Sequence, residues 1–402
     1  MTVLRIRGFA LPDGEPVDLF ADGDRWTDDP VPGAELVAEG WLLPGLVDAH
    51  THPGAEDPGK PLDEALLRDD LRAHLAAGVT MIRSPGLAGD PPAWFGQADD
   101  LPRAVHAGPW IAQHGQFFDG WGRRADHAEL PTVAAAQAAQ TGWAKIIADW
   151  WPGDEPVPAD VLAAVVAAVH AVGGRIAVHS QHAAGGAAAV AAGVDSLEHG
   201  MSLDPALLPR MAEQGIALTP TLGVLLSYLD VVRGRPDGPR KEWYLRGATA
   251  HPALVAAAAE AGVTILAGTD SRPHGRVADE IRALAAAGLT PQQALAAGSW
   301  AARAYLGLGA LTPGAPADAV VYDADPRTDL TILDHPRAVI LRGRLARALA
   351  VHHVPVPAGR YSLRSRTSPS SAPHSPDLRL LATNAPSDPP ASRPLAGAPQ
   401  QP

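Results

Sequence analysis

The chain predicts an α/β fold: a (β/α)8 TIM barrel carrying a small β-sandwich assembled from both chain ends. Three observations predict it. From residue 45 onward, short β-branched runs alternate with alanine-rich helical stretches, the pattern of a parallel sheet wrapped by helices. Several of those helical stretches end in Gly, which adopts the left-handed backbone past a helix C-terminus at no steric cost. The flanks lose the alternation and keep only short strand signals.

Eight runs read as barrel strands: GLVDAH (45–50), VTMIRS (79–84), GPWIAQH (108–114), WAKIIA (143–148), RIAVHS (175–180), VDSLEH (194–199), IALTPT (216–221) and VTILAGTD (263–270). Helix candidates fall between them at 62–78, 158–174, 185–193 and 204–215. The flanks carry TVLRIRGFAL and AELVAEG at one end, ADAVVYDAD and RAVILRGRL at the other. We therefore assign 1–44 and 311–350 to the two parts of the sandwich and 45–310 to the barrel. Residues 351–402 are rich in Pro, Ser and Ala with no apolar period, and are expected to be a disordered tail.

A chain of 402 residues can bury one large barrel core with an appendage. Its net charge of −12 argues against nucleic acid or an anionic membrane as partner, leaving a small-molecule substrate and self-association. The start, MTVLRIRGFALPDGE, lacks the apolar core of a secretory signal. The most apolar long stretch, 160–180, is interrupted by His170 and Gly173-Gly174 and is too short to span a bilayer. There is no cysteine, which removes disulfides, thiolate zinc sites and a cysteine nucleophile, and suits a cytoplasmic protein.

Chemistry in such a barrel sits at the C-terminal ends of the strands. The first strand ends on His50 and His52, which share one face because strand side chains alternate, and Pro53-Gly54 stops it. The fourth carries Lys145, the fifth ends in His179, the sixth in His199 and the eighth in Asp270. Each has an ordinary alternative: a satisfied buried histidine for His179, a loop-carbonyl bond for His199, a helix cap for Asp270, a snorkelling side chain for Lys145. Taken together, those alternatives leave a buried lysine unpaired and a crowd of histidines without purpose. The joint reading is a metal centre, for which imidazole is a suitable ligand.

The elements LPGLVDAHTH, the strand-four lysine, VHS, LEHG, AGTDS and the closing LGALTPGAPADAVVYDADP resemble the amidohydrolase superfamily of metal-dependent hydrolases, over residues 1–347. The resemblance implies two divalent metals, with zinc the expected ion. It implies that His50, His52 and Asp270 hold the more buried metal, and His179 and His199 the second. It implies that Lys145 takes up carbon dioxide to form a carbamate bridging both. Physical chemistry supports that step, since a buried lysine readily becomes the neutral amine that captures carbon dioxide. The expected reaction is hydrolysis of an amide by metal-activated hydroxide, with Asp270 carrying the proton to the leaving amine.

WAKIIADWW resembles the dipeptidase branch, which cleaves Xaa-Pro and related N-acyl amino acids. The flanks also resemble imidazolonepropionases, which typically use one metal and lack the lysine. His114, His182 and Tyr228 are candidates to bind a substrate carbonyl or carboxylate, and Trp150 and Trp151 to wall the leaving group. Arg83 and Arg272 are the arginines at strand ends that could meet a carboxylate, and Trp300 stands where relatives usually have a smaller residue. Two alternatives remain: a mononuclear cyclic-amide hydrolase with Lys145 a bystander, and a non-catalytic binding protein of the same fold.

Overall fold

The computed structural model describes residues 3–57 and 59–348, and the tail expected at 351–402 lies outside the described residues. Four strands open the chain: β1 (Leu4–Ala10), β2 (Glu15–Asp22), β3 (Arg25–Thr27) and β4 (Glu35–Pro44). Gly45 then leads β4 directly into the first strand of the parallel region.

That region contains β5 (Leu46–Asp48), β6 (Val79–Ser84), β7 (Arg103–His106), β8 (Ile111–Ala112) and β9 (Arg123–Arg124). It continues through β10 (Trp143–Ile147), β11 (Arg175–Ser180), β12 (Ser196–His199) and β13 (Ala217–Thr219). All pairings are parallel, in the orders β5-β6-β7 and β13-β12-β11-β10-β8-β9. β6 and β10 are buried on both faces, as parallel strands covered by helices must be. The covering helices include α1 (Glu64–Ala76), α2 (Leu130–Thr141), α3 (Ala159–Ala171), α4 (Ala183–Ala192), α5 (Leu208–Gln214) and α6 (Leu222–Ser227). Asp63 starts α1 by accepting a hydrogen bond from the Leu66 amide at 2.9 Å. Leu67 and Leu71 of α1 and Val165 and Val169 of α3 bury their side chains in one core with Ile82 and Ile146 of the strands.

Two stretches depart from the sequence reading. The strand expected at 108–114 is broken where Gly108 takes φ 66° and Pro109 offers no amide. Of the expected run only Ile111–Ala112 forms a strand, β8, which pairs with β10, while the unforeseen β7 lies just upstream at Arg103–His106 and pairs with β6. The eighth run, 263–270, forms no ladder, yet it is hydrogen-bonded on both sides. Leu218 donates to Thr264 and accepts from Leu266, both at 2.9 Å, while Ala49 donates to Ala267 and Asp270 to His50, both at 2.8 Å. The run thus bonds β13 on one side and the end of β5 on the other.

After this region come β14 (Ala319–Tyr322), β15 (Ala338–Leu341) and β16 (Arg344–Ala348). They join the N-terminal strands in one sheet of order β16-β15-β14-β4-β1-β2-β3. The sheet rolls back on itself: Trp26 of β3 donates to Ala315 at 2.9 Å and accepts from Gly314 at 2.7 Å, just before β14. A sandwich of two sheets was expected; the strands form a single rolled sheet around its own core of Ile6, Leu19, Trp26, Leu42, Val321 and Ile340. Among the described residues no helix is long and apolar enough to cross a membrane.

Candidate metal centre

His50 and His52 face each other across the end of β5, with their Nε2 atoms 3.2 Å apart. Asp270 reaches them from the eighth run, with Oδ1 3.2 Å from His52 Nε2 and 3.7 Å from His50 Nε2. One ligand atom from each of the three lies within 4.8 Å of the others. The other nitrogens fix the tautomers. His50 Nδ1 lies 2.6 Å from a Glu198 oxygen and His52 Nδ1 2.7 Å from the Gly86 carbonyl, so both Nδ1 atoms carry the proton. Two imidazole lone pairs and one carboxylate oxygen therefore converge with no proton between them. A bound cation would make that arrangement favourable.

The backbone is built for this approach. Gly268 has no side chain because a Cβ there would sit 2.5 Å from the Cβ of His50. Asp48, fully buried, accepts from the His50 amide at 3.2 Å and from the Thr269 amide and hydroxyl at 3.1 and 2.7 Å, which ties the two ligand-bearing ends together. Burial lifts its carboxyl to about 6. Asp270 itself has φ 46°, a left-handed backbone that a non-glycine residue adopts only under local constraint.

A second layer backs the site. Both Glu198 oxygens lie 2.9 Å from Arg83 Nη2, and the Ser196 hydroxyl donates to one of them. Arg83 also donates to Thr219 at 2.9 Å and to the Ala49 carbonyl at 2.6 Å. Burial would raise the Glu198 carboxyl, but Arg83, Lys145 and His50 outweigh it and hold the group well below the usual carboxylate range. His50 thus has a permanent anion behind it, the arrangement that orients a ligand imidazole and raises its basicity. Burial, opposed by Asp270 and Glu198, brings the His50 imidazole down to about 4, so it is neutral near pH 7.

Lys145, His179 and His199 line the interior beside this triad. The His179 and His199 rings meet edge to face at 4.6 Å, and His199 lies 5.0 Å from His50. His199 Nδ1 is 2.8 Å from the Thr221 hydroxyl and 4.0 Å from Asp270 Oδ2. Burial keeps both imidazoles neutral, and the charges of His50 and Lys145 add to that for each. Lys145 Nζ and His179 Nε2 are buried with no hydrogen-bond partner. Burial brings the Lys145 amine down to about 8, against the pull of Glu198. A buried polar atom without a partner is costly, and these two lie beside the triad. The donor set fits divalent metal: neutral imidazoles, a carboxylate, and an amine easily made neutral.

The loop after β13 holds His199 from outside. Thr221 has φ 49° and precedes α6, and Glu280 of the helix Val277–Ala286 accepts the amides of Leu222 and Gly223 at 2.9 and 2.7 Å. Glu280 is buried, which lifts its carboxyl to about 8.

The remaining candidates are placed differently. His114 is exposed on the surface, 3.7 Å from Asp126, and is not drawn into the cluster. His182 stacks on Trp243 at 4.6 Å, with Nε2 3.3 Å from the Trp150 carbonyl. Tyr228 is half-buried within electrostatic range of Asp270, and burial raises its hydroxyl. Trp150 lies 5.3 Å from the His179 ring and 5.6 Å from Trp151. Arg83 is buried and paired with Glu198, and Arg272 is paired with both Asp70 oxygens at 2.9 Å. Trp300 packs, half-buried, against the main core. Glu198 and Glu280 were not foreseen. The available signal for Glu198 was a charged residue inside an apolar central strand, which is rarely buried unless paired.

Residues 41–346 match the amidohydrolase family. An uncharacterized protein of Mycobacterium tuberculosis is 38% identical over 356 residues, covering 85% of this chain and 95% of its own length. Ochratoxinase of Aspergillus niger is 34% identical over 173 residues, 41% of this chain and 35% of its own. The crystal structure of that ochratoxinase superposes with a TM-score of 0.71 at 21% identity, covering 87% of this chain and 96% of the other. A Xaa-Pro dipeptidase with bound methionine in its active site gives a TM-score of 0.72 at 22% identity, covering 86% and 99%. Sequence family and fold agree with the converging lone pairs: the chain belongs to the amidohydrolase family of hydrolases.

Proposed function

We propose that the chain is a binuclear metal-dependent amidohydrolase cleaving the amide of a dipeptide, an N-acyl amino acid or a related carbonyl compound. The observation that carries this is the pair of buried, partnerless atoms, Lys145 Nζ and His179 Nε2, beside a triad whose lone pairs already converge. In this reading His50, His52 and Asp270 would hold one ion, His179 and His199 a second, and a carbamylated Lys145 would serve as a further ligand. Bound there, two zinc ions would supply Lewis acidity toward the carbonyl and would acidify a water. The chain does the rest. Asp270, a quarter exposed, accepts the water's proton on its carboxylate and returns it to the departing nitrogen. Glu198 and Arg83 keep His50 in place during turnover.

The bonds joining the eighth run to β13 and β5 support a closed eight-stranded barrel at 45–310, with the rolled sheet of both chain ends as a separate layer. The relatives bear on substrate: one is an ochratoxinase and one a Xaa-Pro dipeptidase, and we carry from them only the amide linkage. A mononuclear reading rests on the triad alone, and it leaves the Lys145 amine buried without a partner. Purified protein loaded with zinc in bicarbonate, assayed against dipeptides, N-acyl amino acids, lactams and carbamates, tests the proposal. Turnover of an amide with two zinc per chain is expected. Turnover with one zinc per chain points to the mononuclear reading, and two zinc with no amide hydrolysed in any class refutes amide hydrolysis.

A further inference from the structure

One face of the centre is aromatic. Trp110 sets its ring 4.9 Å from that of His52, and Trp150 sets its ring 5.3 Å from that of His179, so the two half-sites share a single wall. Phe117 spans the gap, 5.3 Å from Trp110 and 5.1 Å from Trp150, and Phe118 lies 4.9 Å from Trp150. Behind them Trp121 stacks flat on Trp110 at 4.8 Å.

Several features separate this wall from ordinary core. Trp110 and Trp121 are buried, but Phe117, Phe118 and Trp150 are only half-buried. Phe117 has φ 67°, a conformation that costs an aromatic residue energy and that persists at ligand clamps when surrounding structure enforces it. Here the enforcement is visible: Arg124 donates to the Phe118 and Trp121 carbonyls at 2.7 and 2.6 Å, and Trp121 Nε1 donates to the Lys60 carbonyl at 2.6 Å. Arg124 is thereby spent on the loop. Arg83 and Arg272, the strand-end arginines, are held by Glu198 and Asp70. The wall therefore presents ring faces, with these three cations already engaged.

We infer that the substrate carries an uncharged aromatic ring on one flank of the scissile amide, and that the half-buried Phe117 and Trp150 bind that ring, with Trp110 packed behind Phe117. This rests on the amidohydrolase reading above and names its substrate class. Apolar burial of a ring and its stacking on others combine to favour an aromatic substrate by about tenfold to a hundredfold over a methyl-sized equivalent.

The test uses zinc-loaded full-length protein with N-acetyl-L-alanine, N-acetyl-L-phenylalanine and N-benzoyl-L-alanine. At least one aromatic substrate is expected to exceed N-acetyl-L-alanine tenfold or more in kcat/KM, and whichever does so shows whether the ring lies on the amine or the acyl side. Phe117→Gly, which accepts the positive φ without strain, is expected to collapse that ratio toward one, and Phe117→Tyr to restore it. Tryptophan fluorescence quenching gives a readout without turnover, with benzamide expected to bind at least tenfold more tightly than acetamide. Equal kcat/KM for all three substrates, or equal affinity for the two amides, overturns the inference and leaves the hydrolase reading standing. Tight benzamide binding with no amide hydrolysed overturns the hydrolase reading and leaves the aromatic site.

Discussion

Replacing Glu198 with Gln perturbs the metal centre without touching a proposed ligand. The carboxylate serves three buried donors at once: His50 Nδ1 at 2.6 Å, Arg83 Nη2 at 2.9 Å and the Ser196 hydroxyl. An amide offers one oxygen and turns an NH2 toward the donors that used the other. At least one donor is then orphaned in a spot solvent does not reach, costing about 1–3 kcal/mol. The Arg83 guanidinium also loses its countercharge, which brings the total for a broken buried pair to about 3–5 kcal/mol. At the metal, loss of the partner that orients a ligand imidazole weakens affinity by about 10–100-fold. Zinc competition against a chromophoric chelator reads the second effect, and thermal unfolding of the metal-free protein the first. The double variant Arg83→Met with Glu198→Gln removes the stranded charge, so it should regain much of the stability but not the zinc affinity. Zinc binding by Glu198→Gln within twofold of wild type would show that the carboxylate does not support His50.

His52→Ala should lose both bound zinc and turnover with the fold intact by circular dichroism, because it removes one of three converging ligand atoms; full zinc content would remove it from the site. Asp270→Asn should keep at least one zinc, since an amide oxygen still coordinates, while kcat falls about 10²–10⁴-fold for want of a proton carrier. Glu280→Gln should flatten the pH dependence of stability. Burial lifts the folded carboxyl from 4.5 to about 8, so the folded protein binds the extra proton between those values and wild-type stability falls as pH rises through that window. A Gln variant with the same slope over that range in urea titrations would locate the proton elsewhere.

Strands buried on both faces were the most legible part of the sequence. VTMIRS and RIAVHS match β6 and β11 residue for residue, and each begins directly after a glycine, Gly78 and Gly174, that follows the preceding helix. The third strand was not legible, since Arg103–His106 is half-buried and carries polar residues, and the Gly108-Pro109 break looks like a start rather than an interruption. The candidate ligands His50, His52 and Asp270 could be found because strand periodicity and barrel polarity place them at one end. The supporting groups could not. Glu198 precedes His199 in a strand, where alternation assigns the two to opposite faces, yet both serve the centre because His199 leaves the strand conformation at φ 68°. Arg83 was legible as a charge at a strand end, but its pairing across 115 residues to Glu198 depends on the strand order alone. The aromatic wall draws on Trp110, Phe117 and Trp150 from two separate loops and strands, which no local pattern joins.

Lys145 is the group on which the two-metal reading turns, and its chemical state can be observed directly. Protein reconstituted with zinc in ¹³C-bicarbonate should show one protein-bound carbamate carbon resonance per chain, absent from Lys145→Ala treated in the same way. An active wild-type protein holding two zinc ions, with no such resonance and a free amine at Lys145, would contradict the proposed bridge.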